Sequence, residues 1–459
     1  MSNDNISSLK AMIGNNVSLF GSSVLEKAFI DLELESLRWD VSITGMCKDQ
    51  EMKQKIRAST HLLCIGFPSV NDIADDDLIG VKFDITDHEI LNTPLSRVIQ
   101  RKDITRLQDN LGVAFVSGKG DKLSVHQAVM TTLLAGTADQ VQVEFQQWSW
   151  LKDKLRKNTL VEHIHSKQTS RVLLWASNNN SLCPGMAMCQ FYNHVRTVSA
   201  LCGNLEVCLS ETEAAWEELK IGDIKAFGEI ARQADKEFSY RPKTCFGNGT
   251  CLLPRNEVEC MMIKRSHSCG GAHVKRVPGS DRELLKCVDD GEGGSRRSCL
   301  INLQSPIWFH QEEITSLETY GEFRVFFVKD EIVGAVRTQF EDKEEEKNIA
   351  AQALSLSDFN WYSENTEDQK FKKSRLYAFA AYVRAHLLRR HDSRENYRSL
   401  RVAVRIDIGV SMLHPGGRFF VVEVARFAGA AFFSEFMFPK PYTQMMERIA
   451  KAMIEEYGS

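Results

Sequence analysis

Three charged residues in the last part of the chain could act together. Arg405, Asp407 and Glu423 lie in LRVAVRIDIGV and RFFVVEVAR, which read as two strands joined through His414-Pro415-Gly416-Gly417. Arg405 and Asp407 are two positions apart, so on a strand their side chains leave the same face. A short connection brings Glu423 opposite Asp407. Charges that point one way from apolar strands are costly unless something compensates them. Mg²⁺ would do so, because it takes one or two carboxylates and fills its other positions with phosphate oxygens and water. An arginine beside them can hold a phosphate or a developing oxyanion. A structural Arg–Asp ion pair with Glu423 at a sheet edge accounts for the hairpin equally well. The hairpin by itself leaves both readings open.

A second segment carries phosphate chemistry. ECMMIKR reads as a strand that enters a glycine-rich loop, SCGG, and leaves as AHVKRV. Lys264 ends the apolar run and is followed by Ser266, Ser268, Gly270 and Gly271. Glycine lets backbone N–H groups approach phosphate oxygens, and lysine supplies charge. As an isolated signal the pattern also fits an ordinary structural turn.

The elements that must position these residues follow from hydrophobic patterning. In the first half, HLLCIGF from His61, NLGVAFV from Asn110 and RVLLWAS from Arg171 read as buried strands. Helical periodicity runs from Leu25 to Leu37 and from Asp121 to Leu134. This alternation predicts an α/β layer. The run Asp75-Asp76-Asp77 reads as a solvated loop and Gly118-Lys119-Gly120 as a turn. Composition changes near residue 215. A helix, AFGEIARQADKEF, and a turn at Arg241-Pro242 follow. Beyond the glycine-rich loop come the strands PIWFHQ and EFRVFFV, the second continuing into EIVGAVRT. FEDKEEEK reads as the opening of a long polar connection. A helix from about Phe371 to Arg390 has a stripe of Leu376, Phe379, Ala380, Val383 and Leu387, which should pack on a sheet. YTQMMERIAKAMIEEY closes the chain as a helix.

Composition sets the bounds. The 459 residues are enough for two or three domains, and 43% hydrophobic residues mark a globular protein. A net charge of -4 gives no electrostatic case for non-specific nucleic-acid binding. The basic runs Lys370-Phe371-Lys372-Lys373 and Leu388-Arg389-Arg390-His391 read as solvated helix faces. No apolar run is long enough to span a bilayer, so no membrane partner is expected. The start, MSNDNISSLK, lacks the pattern of a secretory signal. The 12 cysteines form no CxxC pairs and read as reduced, mostly buried thiols, which points to the cytoplasm.

Taken in order, four segments resemble the ATP-grasp superfamily. IGDIKAFGEIARQADKEFSYRPKT is similar to the helix and proline turn that open that fold, and MIKRSHSCGGAHVKRV to its strand, glycine loop and strand. WFHQEEITSLETYGEFRVFFVKDEIVGAVRT resembles the adenine hinge of the ribosomal-protein glutamate ligase branch. RIDIGVSMLHPGGRFFVVEVAR resembles the metal-binding hairpin of the D-alanine–D-alanine ligase branch. The likeness covers roughly the C-terminal half. It implies an α/β protein with α+β lobes: an N-terminal α/β domain over residues 1–215, a lobe with the phosphate loop over 216–315, and a lobe with the metal hairpin over 316–459.

The resemblance also implies roles. Lys225 and Lys264 would bind phosphates of ATP from different sides, with Ser268, Gly270 and Gly271 in the loop that closes over them. Gln311, Glu312 and Ile314 would line the adenine. Arg324 and Arg405 would face the reacting phosphate, and Asp407 and Glu423 would bind Mg²⁺. Arg337 reads as an exposed strand residue. The implied activity is an ATP-dependent joining of a small carboxylic acid to an amine through an acyl-phosphate. One position departs from the family pattern: two residues after Glu423, where the superfamily usually has Asn, stands Ala425, followed by Arg426, which could hold a phosphate directly. This keeps a nucleotide-binding protein without catalysis among the alternatives, beside a kinase, a thiol acceptor and a macromolecular acceptor such as a protein terminus or a charged RNA.

Overall fold

The structure is a computed structural model. It describes residues 60–65, 96–100, 122–138, 140–146, 148–176, 188–246, 253, 260–266, 274–278, 308–343, 346–427 and 442–458. The expected helix at 25–37, the strand from Asn110, the acidic run at 75–77, the turn at 118–120 and the glycine-rich loop with Ser268, Gly270 and Gly271 lie outside the described residues.

The first strands are β1 (Thr60–Ile65), β2 (Ser96–Gln100), β3 (Lys122–His126), β4 (Val141–Gln146), β5 (Arg171–Ala176) and β6 (Leu205–Cys208). Next come β7 (Thr244–Cys245), β8 (Cys260–Arg265), β9 (Val274–Pro278) and β10 (Trp308–Glu312). The last are β11 (Glu322–Val328), β12 (Glu331–Lys343), β13 (Glu346–Ala353), β14 (Ala403–Ser411) and β15 (Arg418–Arg426). The stretch from Asp121 to Leu134, which reads as one helix by periodicity, is divided into β3 and a helix, Gln127–Ala135. β3 pairs with β2, and this tertiary pairing overrides the local pattern.

A parallel sheet of order β4-β1-β5-β6 forms the α/β layer. Both of its faces are covered. Leu62, Cys64, Leu173 and Trp175 enter one core, and Leu63, Ile65, Val172 and Leu174 enter the other. The first core also contains Met446, Ile449, Ala450 and Met453 of the C-terminal helix, together with Phe326, Val328 and Ala403. The last helix therefore packs against the first sheet, and Thr131 donates to the Met446 sulfur at 3.5 Å. The composition change near residue 215 falls within a helix, Glu211–Leu219.

Two antiparallel sheets follow, with orders β7-β10-β8-β9 and β13-β12-β11-β14-β15. The acidic run FEDKEEEK leads from β12 into β13, a paired hairpin where the sequence reads as a polar connection. Among the described residues β13 is an edge strand. One face of the larger sheet carries Phe323, Val325, Phe327, Val404, Ile406 and Ile408, which pack on Leu376, Phe379, Ala380, Val383 and Leu387. Those five belong to the helix Thr366–Arg389. It starts five residues earlier than its apolar stripe implies, because the Asn365 side chain accepts from the amides of Glu367 at 2.8 Å and Asp368 at 3.4 Å. The helix expected at 226–238 also begins earlier, spanning Ile221–Gln233.

Lys372 corrects the solvated-face reading of its basic run. It is buried, donates to the carbonyls of Gly416 at 2.7 Å and Gly417 at 2.9 Å, and lies 4.8 Å from the Phe419 ring centre and 4.9 Å from that of Tyr362. It thereby clamps the turn between β14 and β15. Lys372→Met should lower unfolding free energy by about 1–3 kcal/mol, because two carbonyls lose a charged donor. Urea denaturation reads the change; an unaltered midpoint would show that the clamp contributes nothing.

Candidate functional site

The larger sheet is divided along its second face. In one part of the strands this face carries Glu322, Arg324, Arg405, Asp407 and Glu423; further along the strands it carries Phe326, Val328 and Ala403, which belong to the core that contains the C-terminal helix. Arg324 pairs in register with Asp407, Asp407 with Glu423, and Arg405 with Ala425. A bulge brings Glu423 to this face. Asp407 pairs with Glu423 but Ile408 pairs with Val421, which leaves Val422 as an inserted residue. As a result Val421 and Val424, three apart, share the core on the opposite face.

Asp407 is almost fully buried and is gripped by Arg405, whose Nε and Nη2 donate to its two oxygens at 2.7 and 2.8 Å. Such a two-pronged charged pair is both strong and directional. The Arg324 Nε lies 3.8 Å from Asp407, and its Nη2 lies 3.4 Å from Glu322. Glu423 accepts from the Lys220 ammonium at 2.8 Å. The bland alternative for the hairpin therefore describes its geometry correctly: an Arg–Asp pair is present, and Glu423 is on an edge strand. What the hairpin alone did not contain is the set of charges that gathers on it.

That set comes from other elements. Lys264, on β8 of the neighbouring sheet, donates to the Gln311 side chain at 2.8 Å. Burial lowers its pKa to about 8; repulsion from Arg241 and Lys220 adds to this, while Glu322 and Glu423 oppose it. The charged faces of the two sheets thus lie within electrostatic reach of each other, with the candidate cleft between them. Burial also lowers the Arg241 guanidinium to about 10; it donates to the Val421 carbonyl and lies 5.2 Å from the Phe227 ring centre. Burial disfavours ionised Glu423, but Lys220 and then Arg405 and Arg324 outweigh it and hold its pKa below the usual value. Glu322 is raised by burial and by Asp407 and Glu423. Glu217, behind Glu423, is pushed up to about 7 by burial and by the carboxylates of Glu213, Asp223 and Glu423, against the pull of Arg426.

The other sequence-named residues have definite places. Lys225 lies 5.5 Å from the Phe246 ring centre, and Phe246 packs on Phe309, the cross-strand partner of Lys264. The Gln311 amide donates to Thr244 at 3.0 Å. The Glu312 carboxylate accepts from the Lys243 amide at 3.0 Å, and the Glu312 amide donates to the Lys243 carbonyl at 2.8 Å. Ile314 is buried at the start of the connection to β11. That connection ends at Gly321, whose φ of +69° and contact with Thr338 exclude a side chain, since a Cβ would lie 1.9 Å from the Thr338 carbonyl oxygen.

Two readings are corrected. Arg337 is not an exposed strand residue; it pairs with Asp358 at 3.0 Å and donates to the Tyr320 carbonyl at 2.7 Å. Arg426 is fully buried and has no path to a phosphate. It binds Asp223 at 3.0 Å and the Asn396 carbonyl at 2.9 Å, with Glu213 at 3.5 Å. Three residues were missed: Glu322, Lys220 and Arg241. Glu322 had a signal, because it is two positions before Arg324 on an apolar strand, the same spacing as Arg405 and Asp407. Lys220 and Arg241 had none, since their neighbours are remote in sequence.

The donor set fits a divalent cation shared with a ligand better than a protein-only cage. Asp407 and Glu423 are cross-strand neighbours, and Mg²⁺ commonly completes such a pair with phosphate and water. Among the described residues no group of three or more His, Cys, Asp or Glu is arranged to hold a metal ion by itself. Six cysteines in the described residues are free, and Cys64, Cys208 and Cys245 are buried. No helix among the described residues is long and apolar enough to cross a membrane.

Removing one member of the buried pair should be worse than removing both. Arg405→Met is expected to cost about 3–5 kcal/mol by leaving Asp407 with only the 3.8 Å contact to Arg324, Asp407→Asn should also destabilise, and the double variant Arg405→Met/Asp407→Asn should recover a large part of the first loss. Equilibrium denaturation of the four proteins measures the coupling; additive losses would mean that the two side chains do not act as a pair.

No protein-family model and no curated protein matches the chain. Among solved structures it is similar to ATP-grasp ligases. The D-cycloserine synthetase DcsG shows 14% identity and a TM-score of 0.41, over 87% of this chain and 99% of that one. A D-alanine–D-alanine ligase from Bacillus anthracis complexed with ATP shows 11% and 0.37, over 87% and 97%. The ATP-grasp ligase PsnB complexed with a minimal precursor shows 15% and 0.34, over 64% and 81%.

Proposed function

We propose that this chain is an ATP-dependent ligase that joins a small carboxylic acid, such as an amino acid, to an amine. The observation that supports the proposal is that Lys264 on one sheet is within electrostatic reach of Glu322 and Glu423 on another, and that Glu322 and Glu423 lie on the same face as the paired charges Arg324, Arg405 and Asp407. Phosphoryl transfer needs positioning and charge neutralisation more than covalent help from the protein, and this is a charge-neutralising set.

In the proposed reaction a substrate carboxylate oxygen attacks the γ-phosphorus of ATP, the bond to the β-phosphate oxygen breaks, and ADP leaves. The amine then attacks the carbon of the acyl-phosphate, loses a proton, and inorganic phosphate departs. Mg²⁺, when bound, would supply charge neutralisation at the phosphates; Asp407 and Glu423 are the residues that would hold it. Lys264 and Lys225 bind phosphate oxygens on the side of the smaller sheet. Arg324 and Arg405 hold the transferred phosphoryl group on the other side. Gln311, Glu312 and Ile314 border the base, and Gln311 keeps the Lys264 ammonium directed. The loop with Ser268, Gly270 and Gly271 is proposed to exclude water from the acyl-phosphate. The proposed domain division remains 1–215, 216–315 and 316–459.

A second reading, nucleotide binding without catalysis, is favoured by Ala425, whose methyl group packs against the core shared with the C-terminal helix and offers no metal ligand. A screen of amino acids and other small acids for ADP and phosphate release separates the two. Turnover should require both a carboxylate and an amine, and should fall at least a hundredfold in Asp407→Ala. Nucleotide binding with no turnover across the screen would favour the second reading, and a stable phosphorylated product would indicate a kinase.

The Lys264 ammonium gives a pH test. A bound phosphate stabilises its charged form, so binding takes up a proton once the free group has begun to lose it. ATP affinity should be level below pH about 8 and should fall as pH rises from there towards the ordinary lysine value of 10.5, with a slope of up to about tenfold per pH unit. Lys264→Arg stays protonated, and its calorimetric affinities should be flat through the first part of that window, until Arg241 begins to titrate near its value of about 10. Parallel curves for the two proteins would remove Lys264 from the phosphate site.

A further inference from the structure

The charges around the cleft do not balance, and one of the ion pairs is built differently from the rest. Lys220, Arg241, Lys264, Arg324 and Arg405 share it with Glu322, Asp407 and Glu423. Cations outnumber carboxylates, and Lys264 is under repulsion from both Lys220 and Arg241. An anion placed among them would relieve that repulsion.

Two ways of holding a carboxylate occur side by side. Asp407 has 2% side-chain exposure and is gripped on both oxygens by a planar guanidinium. Glu423 has 42% side-chain exposure and is held through one oxygen by Lys220, itself 34% exposed. A contact through one carboxylate oxygen is less directional than a two-pronged grip on both. An ammonium is also a compact charge on a flexible stem, which can swing where a guanidinium fork cannot.

The backbone beneath Lys220 is held firmly. Lys220 forms the junction between the helices Glu211–Leu219 and Ile221–Gln233, with φ of 54°. Arg426 ties both helices to β15 through Glu213 and Asp223. Trp216 donates to Asp223 at 2.9 Å, and Gly222 lies so close to it that a Cβ would sit 2.2 Å from the indole. A firmly held base in a left-handed conformation therefore carries the long side chain whose ammonium reaches Glu423.

We propose that Lys220 is an exchangeable counter-ion, which neutralises Glu423 in the nucleotide-free protein and, when a nucleoside triphosphate enters, yields that carboxylate to a divalent cation and moves onto a phosphate oxygen. Lys220 is then a third phosphate lysine beside Lys225 and Lys264, and the resting ion pair keeps Glu423 from drawing divalent cations before nucleotide arrives. This inference rests on the nucleotide reading above.

The test uses Mn²⁺ as the probe, with free Mn²⁺ followed by electron paramagnetic resonance, and calorimetry for ATP in the presence of Mn²⁺. Lys220→Gly removes the cation and suits the left-handed backbone. It should bind Mn²⁺ without nucleotide roughly tenfold more tightly than wild type, and ATP with Mn²⁺ roughly tenfold more weakly. Lys220→Gln, which keeps the stem without the charge, should shift both constants in the same directions. Unchanged Mn²⁺ affinity in both variants would overturn the resting role of Lys220. Tighter Mn²⁺ with unchanged ATP affinity would overturn the exchange. Wild-type protein that binds no ATP would overturn the nucleotide reading and the exchange with it, whereas tight ATP binding in wild type with either preceding result would overturn the exchange alone.

Discussion

The pairing of Arg405 with Asp407 on the buried face of a sheet is the constraint from which much of this structure follows. A carboxylate with so little exposure is tolerable only with a charged, well-directed partner. The partner is two residues away on the same strand, so the pair forms without long-range help. Its consequence is that the strand cannot be covered there by an apolar layer. The same face is sealed by Phe326, Val328 and the C-terminal helix further along, and the seal stops where the charges begin. The cleft is the part of the sheet that hydrophobic packing could not close.

Two other buried cations hold this arrangement without facing the cleft. Arg426 fixes the helices that carry Lys220 and Lys225 against β15. Lys372 fixes the turn that joins the two site-bearing strands. Arg426 is engaged at its terminal nitrogens by Asp223 and a carbonyl, with its Nε 3.5 Å from Glu213, and Lys372 by two carbonyls among aromatic rings. Charge in this protein thus serves two ends. Buried and tied to other elements, as at Arg426 and Lys372, it is scaffold; at Glu322, Glu423 and Lys264 it is gathered from two sheets and leaves pKa values shifted by neighbouring charge.

Ala425 is consistent with this division. Its cross-strand partner is Arg405, and its methyl group lies at the border where the charged part of the face meets the core beneath the C-terminal helix. A polar side chain at that border would place an amide against apolar groups, which is costly without a partner. An alanine at this position is therefore explained locally by packing.

The sequence by itself determined the elements and one half of the site. Apolar runs marked β1, β5, β11, β14 and β15, the stripe from Leu376 to Leu387 marked the packing helix, and two-residue spacing put Arg405 and Asp407 on one face, because these periodicities are local properties of strand and helix. The tertiary structure decided the rest. Strict alternation along RFFVVEVAR would put Glu423 on the face of Phe419 and Val421; the inserted Val422 turns it towards Asp407, and a bulge is set by pairing with a partner strand rather than by the strand's own residues. The same holds for Lys220 and Arg241, whose roles depend on neighbours that are distant in the chain. It holds for Arg426, which reads as a residue that could hold a phosphate, and for Lys372, which reads as part of a solvated helix face, because charge in a sequence carries no sign of burial; carboxylates and carbonyls from other elements close around both.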